Sequence, residues 1–202
     1  MCGIFGIVNP VKENINDNLN KMLQVLRHRG PDGKNIHVFK NCIFGHTRLS
    51  IIDPKGGQQP MLDNEQNTGL TFNGELYGYK DIKSKINYNF QSNSDTELLL
   101  ALYKQYGLSF LNRLPGMFSF GLWDSKKNLL FCARDRFGEK PLYYARGNSD
   151  EFIFASEIKA LVASGIINPI IDNNSISHYL KRLYVNPYKT IYKNIFSLPP
   201  GH

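Results

Sequence analysis

The sequence is poor in cysteine and pairs none of it: Cys2, Cys42 and Cys132 are odd in number, far apart and outside any CxxC arrangement. None of the five histidines lies near a cysteine at metal-ligand spacing, so no metal site is expected. A disulfide framework is excluded on the same grounds, and a reducing cytoplasm is the simplest compartment. No apolar run approaches the ~18 residues of a membrane span, so no membrane partner is expected. The apolar first residues lack a basic segment before them and are interrupted by Asn9-Pro10, which argues against a signal peptide. Basic blocks are missing too. The 24 Lys and Arg are scattered, and the net charge of +7 reads as a solvated surface rather than a nucleic-acid interface. A small anionic substrate remains compatible with it. Internal repeats and low-complexity tracts are absent.

What remains is an ordinary globule of 202 residues, 42% hydrophobic and 20% charged, long enough for one large domain or a domain with a tail. Residues 3–9 read as a buried strand. Leu19, Met22, Leu23 and Leu26 follow at helical spacing after Asn16-Asp17 and stop at Gly30-Pro31. Strands are expected at about 36–39, 42–48 and 70–72, the last running into Asn73-Gly74. Ser94-Asp95-Thr96-Glu97 has the form of a capping box opening a helix through Leu102 and Tyr103. Met117–Trp123 and Leu129–Ala133 read as a hairpin, Leu142–Ala145 and Phe152–Ala155 as two more strands, and Ser156 as a helix cap. Cys42 and Cys132 sit in apolar stretches and read as buried core thiols. The strands are too apolar for a sheet wet on one face, so a layered α+β or α/β protein with helices outside its sheets is expected.

Cys2 stands directly behind the initiator Met1. With Met1 removed, one residue carries a thiol and a free α-amine. The thiol titrates near ~8.5 and the amine near ~8, so part of the amine is free base at neutral pH. Nucleophile and base then share one residue. A second-position cysteine without chemistry is the plain alternative.

Several polar loops could surround such a nucleophile. Asn73 and Gly74 offer a side-chain amide and an unobstructed backbone N–H, a pair able to hold an oxyanion; Asn-Gly is equally the commonest hairpin-turn dipeptide. Arg48 ends a strand, where a guanidinium can clamp a carboxylate bidentately or serve only the surface. Asp95 in a first helical turn suits the helix dipole or a substrate ammonium. The Arg27–Gly33 segment is either a lid or a helix exit. Carboxylate holder, ammonium holder, thiol and oxyanion pair together describe an α-amino acid with an acyl group at its far end.

Six segments carry a resemblance: Met1-Cys2-Gly3-Ile4-Phe5-Gly6, Arg29-Gly30-Pro31-Asp32, His46-Thr47-Arg48-Leu49-Ser50-Ile51-Ile52-Asp53, Asn73-Gly74-Glu75-Leu76-Tyr77, Ser94-Asp95-Thr96-Glu97, and Arg134 through Tyr144. In this order they resemble class II glutamine amidotransferase domains, in particular the N-terminal glutaminase domain of glutamine-hydrolysing asparagine synthetases. The resemblance implies an N-terminal-nucleophile hydrolase fold, an α+β four-layer αββα sandwich. It implies that Cys2 attacks the side-chain amide of L-glutamine, with Asn73 and Gly74 as oxyanion hole. Arg48 and the backbone of Leu49, Ser50, Ile51 and Ile52 would hold the carboxylate end, and Glu75 and Asp95 the amino end. Hydrolysis through a Cys2 thioester would give glutamate and ammonia for an ATP-dependent amidation, such as aspartate to asparagine. No cofactor is implied in this domain, since ATP and Mg belong to a C-terminal synthetase domain. The implied partners are L-glutamine and that domain, with a homodimer left open.

No Ser-Gly-Gly-type phosphate loop occurs, and Leu198-Pro199-Pro200-Gly201-His202 resembles a linker. The expected organisation is a glutaminase domain at 2–165 and an extension at 166–202 leading toward the synthetase domain. Two alternatives stand beside this reading. The same glutaminase can serve another acceptor, a sugar acid or a peptide carboxylate, or the chain can be a non-enzymatic domain that keeps Met1.

Overall fold

The computed structural model describes residues 1–11 and 15–202. Strand β1 (Gly3–Val8) has no polar face, and it lies inside a six-stranded antiparallel sheet between β3 (Cys42–Arg48) and β9 (Phe152–Ala155). With β2 (Gly33–Val38), β8 (Tyr143–Arg146) and β10 (Phe196–Ser197) the order is β10-β8-β9-β1-β3-β2. Alternate residues of a strand face opposite ways. Phe5 and Ile7 therefore pack under helices α1 (Ile15–Leu26) and α4 (Ile158–Ala163), while Ile4 meets Phe44, Leu142, Phe154 and Trp123 on the other face.

The second sheet is β4 (Met61–Leu62), β5 (Thr68–Leu76), β6 (Gly116–Asp124) and β7 (Leu129–Arg134), antiparallel in that order. Leu70, Phe72, Phe118, Phe120 and Leu122 cover its outer face beneath α3 (Asp95–Tyr106), with the short α2 (Tyr79–Lys83) alongside. Four layers result, helix, sheet, sheet, helix: the αββα sandwich. The sheets approach closely at Gly121, where an added Cβ would lie 2.2 Å from the Phe154 ring.

Strands β3 and β9 fall where their apolar runs predict, and the 125–128 hairpin joins β6 to β7. Four details differ from expectation. Asn73-Gly74 is not a turn: β5 continues to Leu76, paired with β6 from Thr68↔Asp124 to Leu76↔Gly116. Ser94 does cap α3, but it accepts the Thr96 N–H. Glu97 does not complete a capping box and instead takes the N–H groups of Gln91 and Ser92. Ser156 caps nothing, because its hydroxyl is occupied by the Ile4 N–H at 3.0 Å. Cys42 is buried as expected; the Cys132 residue is partly exposed, but its thiol is buried against the inter-sheet cluster.

The stretch 166–202 contributes to the first sheet and its core. Ile167 and Ile195 belong to the core under α1, and β10 pairs with β8. Helix α5 (Asn173–Arg182) lies within this stretch. The final residues are fastened to the segment 134–142: Leu198 N–H bonds the Leu142 carbonyl, Gly201 N–H the Asp135 carbonyl, and Arg134 N–H the His202 carbonyl. A two-residue strand is too short to leave a periodic pattern in the sequence. The Arg134 side chain spans the carbonyls of Lys140, Leu198 and Gly138 at 2.7, 2.7 and 2.6 Å. Arg134→Ala should cost on the order of 3 kcal/mol, because bonds to charged groups contribute about 1.5–3 kcal/mol each and water replaces some of them. A lowered urea midpoint is the measurement.

Candidate active site

A cavity of about 200 Å³ opens at the end of the inter-sheet space where β1 begins, with Cys2 in its wall. Pockets for drug-sized ligands start near ~300 Å³, so this one suits a molecule of amino-acid size. The register Gly3↔Thr47 sets Cys2 beside the exit of β3 into Arg48 and Leu49. The Leu49 N–H points at the Cys2 Sγ across 3.4 Å. Burial pushes the thiol above its ordinary value; the Leu49 N–H and the charges of the N-terminus, Arg48 and Arg29 offset this only in part. With Met1 attached, the thiol is thus protonated at neutral pH and needs a base.

Arg48 lies in the cavity wall but is largely committed elsewhere. The 49–57 loop folds back on it, so that Nη1 donates to the Pro54 carbonyl at 2.7 Å and Nη2 to those of Asp53 and Ile52 at 2.7 and 3.2 Å. Gly57 is required for that closure, since a Cβ there would sit 2.6 Å from Nη2. A bidentate clamp needs a free Nη2, so the two-pronged grip expected from sequence is not available in this conformation. The charge, Nε and one Nη1 hydrogen remain. Leu49, Ile51 and Ile52 also line the cavity. Ser50 does not, and its N–H is taken by the Asp32 carboxylate at 2.7 Å.

Across the cavity, Asn73 is buried and its Nδ2 has no partner among the described residues. Backbone N–H groups alternate between the two edges of a strand. The Phe72 N–H meets the Gln59 Oε1 at 2.7 Å and the Leu76 N–H the Asp95 Oδ2 at 3.1 Å, whereas Tyr77 turns to the Pro115 carbonyl on the β6 side. Gly74 shares the edge of Phe72 and Leu76, so its N–H is the one between them that faces the cavity. Asn73 and Gly74 thus present two donors to one space.

Asp95 is buried at the first position of α3. Burial raises its carboxyl above the usual range, backbone N–H groups including that of Leu76 oppose the shift, and Glu75 at the exposed mouth adds to it. A bound ammonium would relieve both carboxylates. One layer deeper, opposite Ile4, His46 is buried with Nδ1 3.2 Å from the Thr71 Oγ1. The Thr71 Oγ1 also lies 3.3 Å from the Gly45 carbonyl, to which it can donate. Burial, with Arg48 nearby, lowers the His46 pKa to about 3, so this ring is neutral near pH 7.

The sequence signature described as "Glutamine amidotransferase domain" matches residues 1–202. The chain belongs to this glutamine amidotransferase family. A putative asparagine synthetase [glutamine-hydrolyzing] 2 of Methanocaldococcus jannaschii is 38% identical over 98% of this chain and 42% of its own length. Asparagine synthetase [glutamine-hydrolyzing] 3 of Bacillus subtilis is 37% identical over the whole chain and 34% of its own length. The chain therefore spans less than half the length of these curated relatives. Among solved structures, the glutamine phosphoribosylpyrophosphate amidotransferase of B. subtilis superposes with a TM-score of 0.68 at 25% identity, covering 81% of this chain and 44% of that one.

In this amidotransferase domain, several cavity residues were invisible to sequence reading. Met117 arrives through its pairing with Glu75 on β5. Gln59 and Thr96 are joined to each other at 3.3 Å. Lys140 is carried in by a loop wound around Asp135, whose carboxylate accepts the N–H groups of Phe137, Glu139 and Lys140. Only the last had a local signal, an Asp followed by a Gly-containing turn. Among the described residues no His, Cys, Asp and Glu cluster is gathered for a metal, and no helix is long and apolar enough to cross a membrane.

Proposed function

We propose that the chain hydrolyses L-glutamine to glutamate and ammonia through Cys2. The observation that carries this reading is the shared cavity: a thiol under the Leu49 N–H, an unpartnered Asn73 amide and a buried Asp95 carboxylate. Once Met1 is removed, the Cys2 α-amine takes the thiol proton, directly or through a water. The thiolate adds to the amide carbon, and the resulting oxyanion is held by Asn73 Nδ2 and the Gly74 N–H. The proton passes to the leaving nitrogen, ammonia departs, and water hydrolyses the glutamyl thioester and regenerates the thiol. Arg48 by its charge, with the walls from Leu49, Ile51 and Ile52, faces the substrate carboxylate. Asp95 and Glu75 face the ammonium.

The names of the longer relatives, glutamine-hydrolysing asparagine synthetases, support asparagine synthesis as the use of the ammonia; an ATP- and Mg-dependent synthetase domain with aspartate as acceptor is the remainder of the proposal. A homodimer and a cytoplasmic setting complete the proposal, the latter supported by three free cysteines. The test is direct: incubate the chain with L-glutamine, measure glutamate and ammonia, and record the intact mass. Glutamate formed by the form lacking Met1, and none by the form retaining it, is expected. No glutamate from the form beginning at Cys2 would overturn the reading. Asp95→Asn should raise KM for glutamine about 10–100-fold with kcat much less affected, as fits loss of one charged hydrogen bond to a group unchanged in the reaction.

A further inference from the structure

The residue proposed as nucleophile lies outside the strand that supports it. The ladder of β1 starts at Gly3, so Cys2 depends on other contacts for its place. Leu49 touches its sulphur on the β3 side. On the β9 side the chain continues past Ala155 as Ser156 and Glu157, and Ser156 is locked to Ile4 by its N–H on the Ile4 carbonyl at 2.9 Å and its hydroxyl on the Ile4 N–H at 3.0 Å. Glu157 is thereby brought alongside the N-terminal segment. It does not touch Cys2 itself. Its Oε1 accepts from Arg29 Nη1 at 3.1 Å, and the Nε of the same guanidinium donates to the Cys2 carbonyl at 2.9 Å. The Arg29 side chain is only 8% exposed, and Glu157 is its sole carboxylate partner among the described residues. Glu157 is fixed from two further directions, by His28 Nε2 at 2.8 Å and Lys159 Nζ at 3.1 Å.

We propose that Glu157 is a positioning residue for the reaction: through Arg29 it holds the Cys2 peptide in register with the Leu49 N–H and the β5 donors. The proposal rests on Cys2 being the nucleophile. While the sulphur passes from thiol to thioester and back, the peptide carrying it must stay in place, and a misplacement of about 1 Å can cost ~10²-fold in rate. None of the groups facing the two ends of glutamine is bonded to Glu157, so the effect falls on kcat and not on KM.

The experiment is glutaminase kinetics on the full chain, N-terminus verified by intact mass, for Glu157→Ala, Glu157→Gln, Arg29→Lys and the Glu157→Ala/Arg29→Lys pair, with a thermal midpoint for each. Glu157→Ala should lower kcat about 30–100-fold and leave KM within about 3-fold. Glu157→Gln, which keeps size and one acceptor oxygen, should lose about 10-fold and carries the test if the alanine variant does not fold. The paired variant should be no slower than the worse single one, since both act through one contact. Unchanged kcat in a folded variant, a loss carried by KM, or losses that multiply in the pair would overturn the proposal. Hydrogen exchange of the N-terminal peptide separates this from the function itself. If the parent chain makes no glutamate, faster exchange at residues 2–4 in Glu157→Gln, with β3 unchanged, still supports the clamp, and unaltered exchange removes it.

Discussion

Cys2→Ala is expected to abolish measurable ammonia release from glutamine. The other two thiols cannot substitute. Cys42 and Cys132 lie together in the layer between the sheets, and burial pushes both thiols up, well away from nucleophilic form at neutral pH. What survives in the variant is binding and oxyanion stabilisation, which in comparable acyl-transfer sites retain ~10³–10⁴ over water while nucleophile loss costs roughly 10⁶ in kcat. Arg48, Asn73 and Asp95 are untouched, so the variant should still bind glutamine, detectable by calorimetry. Full glutaminase activity in Cys2→Ala would remove the mechanism at its first step.

Asn73→Ala is the second large effect, and it should separate activity from stability. Losing one oxyanion donor costs about 10²–10³ in kcat. Yet the Asn73 Nδ2 bonds nothing among the described residues, and an unpaired buried polar group costs about 1–3 kcal/mol. The melting midpoint should therefore hold or rise while kcat collapses. A variant that loses stability along with activity would mark the amide as structural. Gly74 does not offer the same clean test. A Cβ there would lie 2.4 Å from the Met117 carbonyl, so Gly74→Ala disturbs the β5–β6 pairing before it disturbs chemistry.

Strands β1, β3 and β9 were legible because each is an apolar run long enough to show burial on both faces. Cys2, Asn73, Gly74 and Asp95 were legible as types of group, and the fold does bring them to one cavity. What sequence could not reveal are partners set by tertiary register. The carbonyls that occupy Arg48 carry no side-chain signature, nor does the Asp32 carboxylate on the Ser50 N–H. Asn73-Gly74 favours a turn locally, and nine residues of pairing with β6 override that preference. Met117 and Glu157 reach the site region only because of which strands neighbour which.

The arrangement around Gly74 bears on more than catalysis. Strand β4 pairs only with Leu70 and Gly69, so among the described residues β5 from Phe72 to Leu76 is a sheet edge with no strand beside it. Such an edge invites strand addition by another molecule. Two of its N–H groups are occupied by the Gln59 and Asp95 side chains, and the third lies in a recess too small for a peptide strand. The groups that leave room for a small molecule therefore also keep copies of the protein from joining edge to edge.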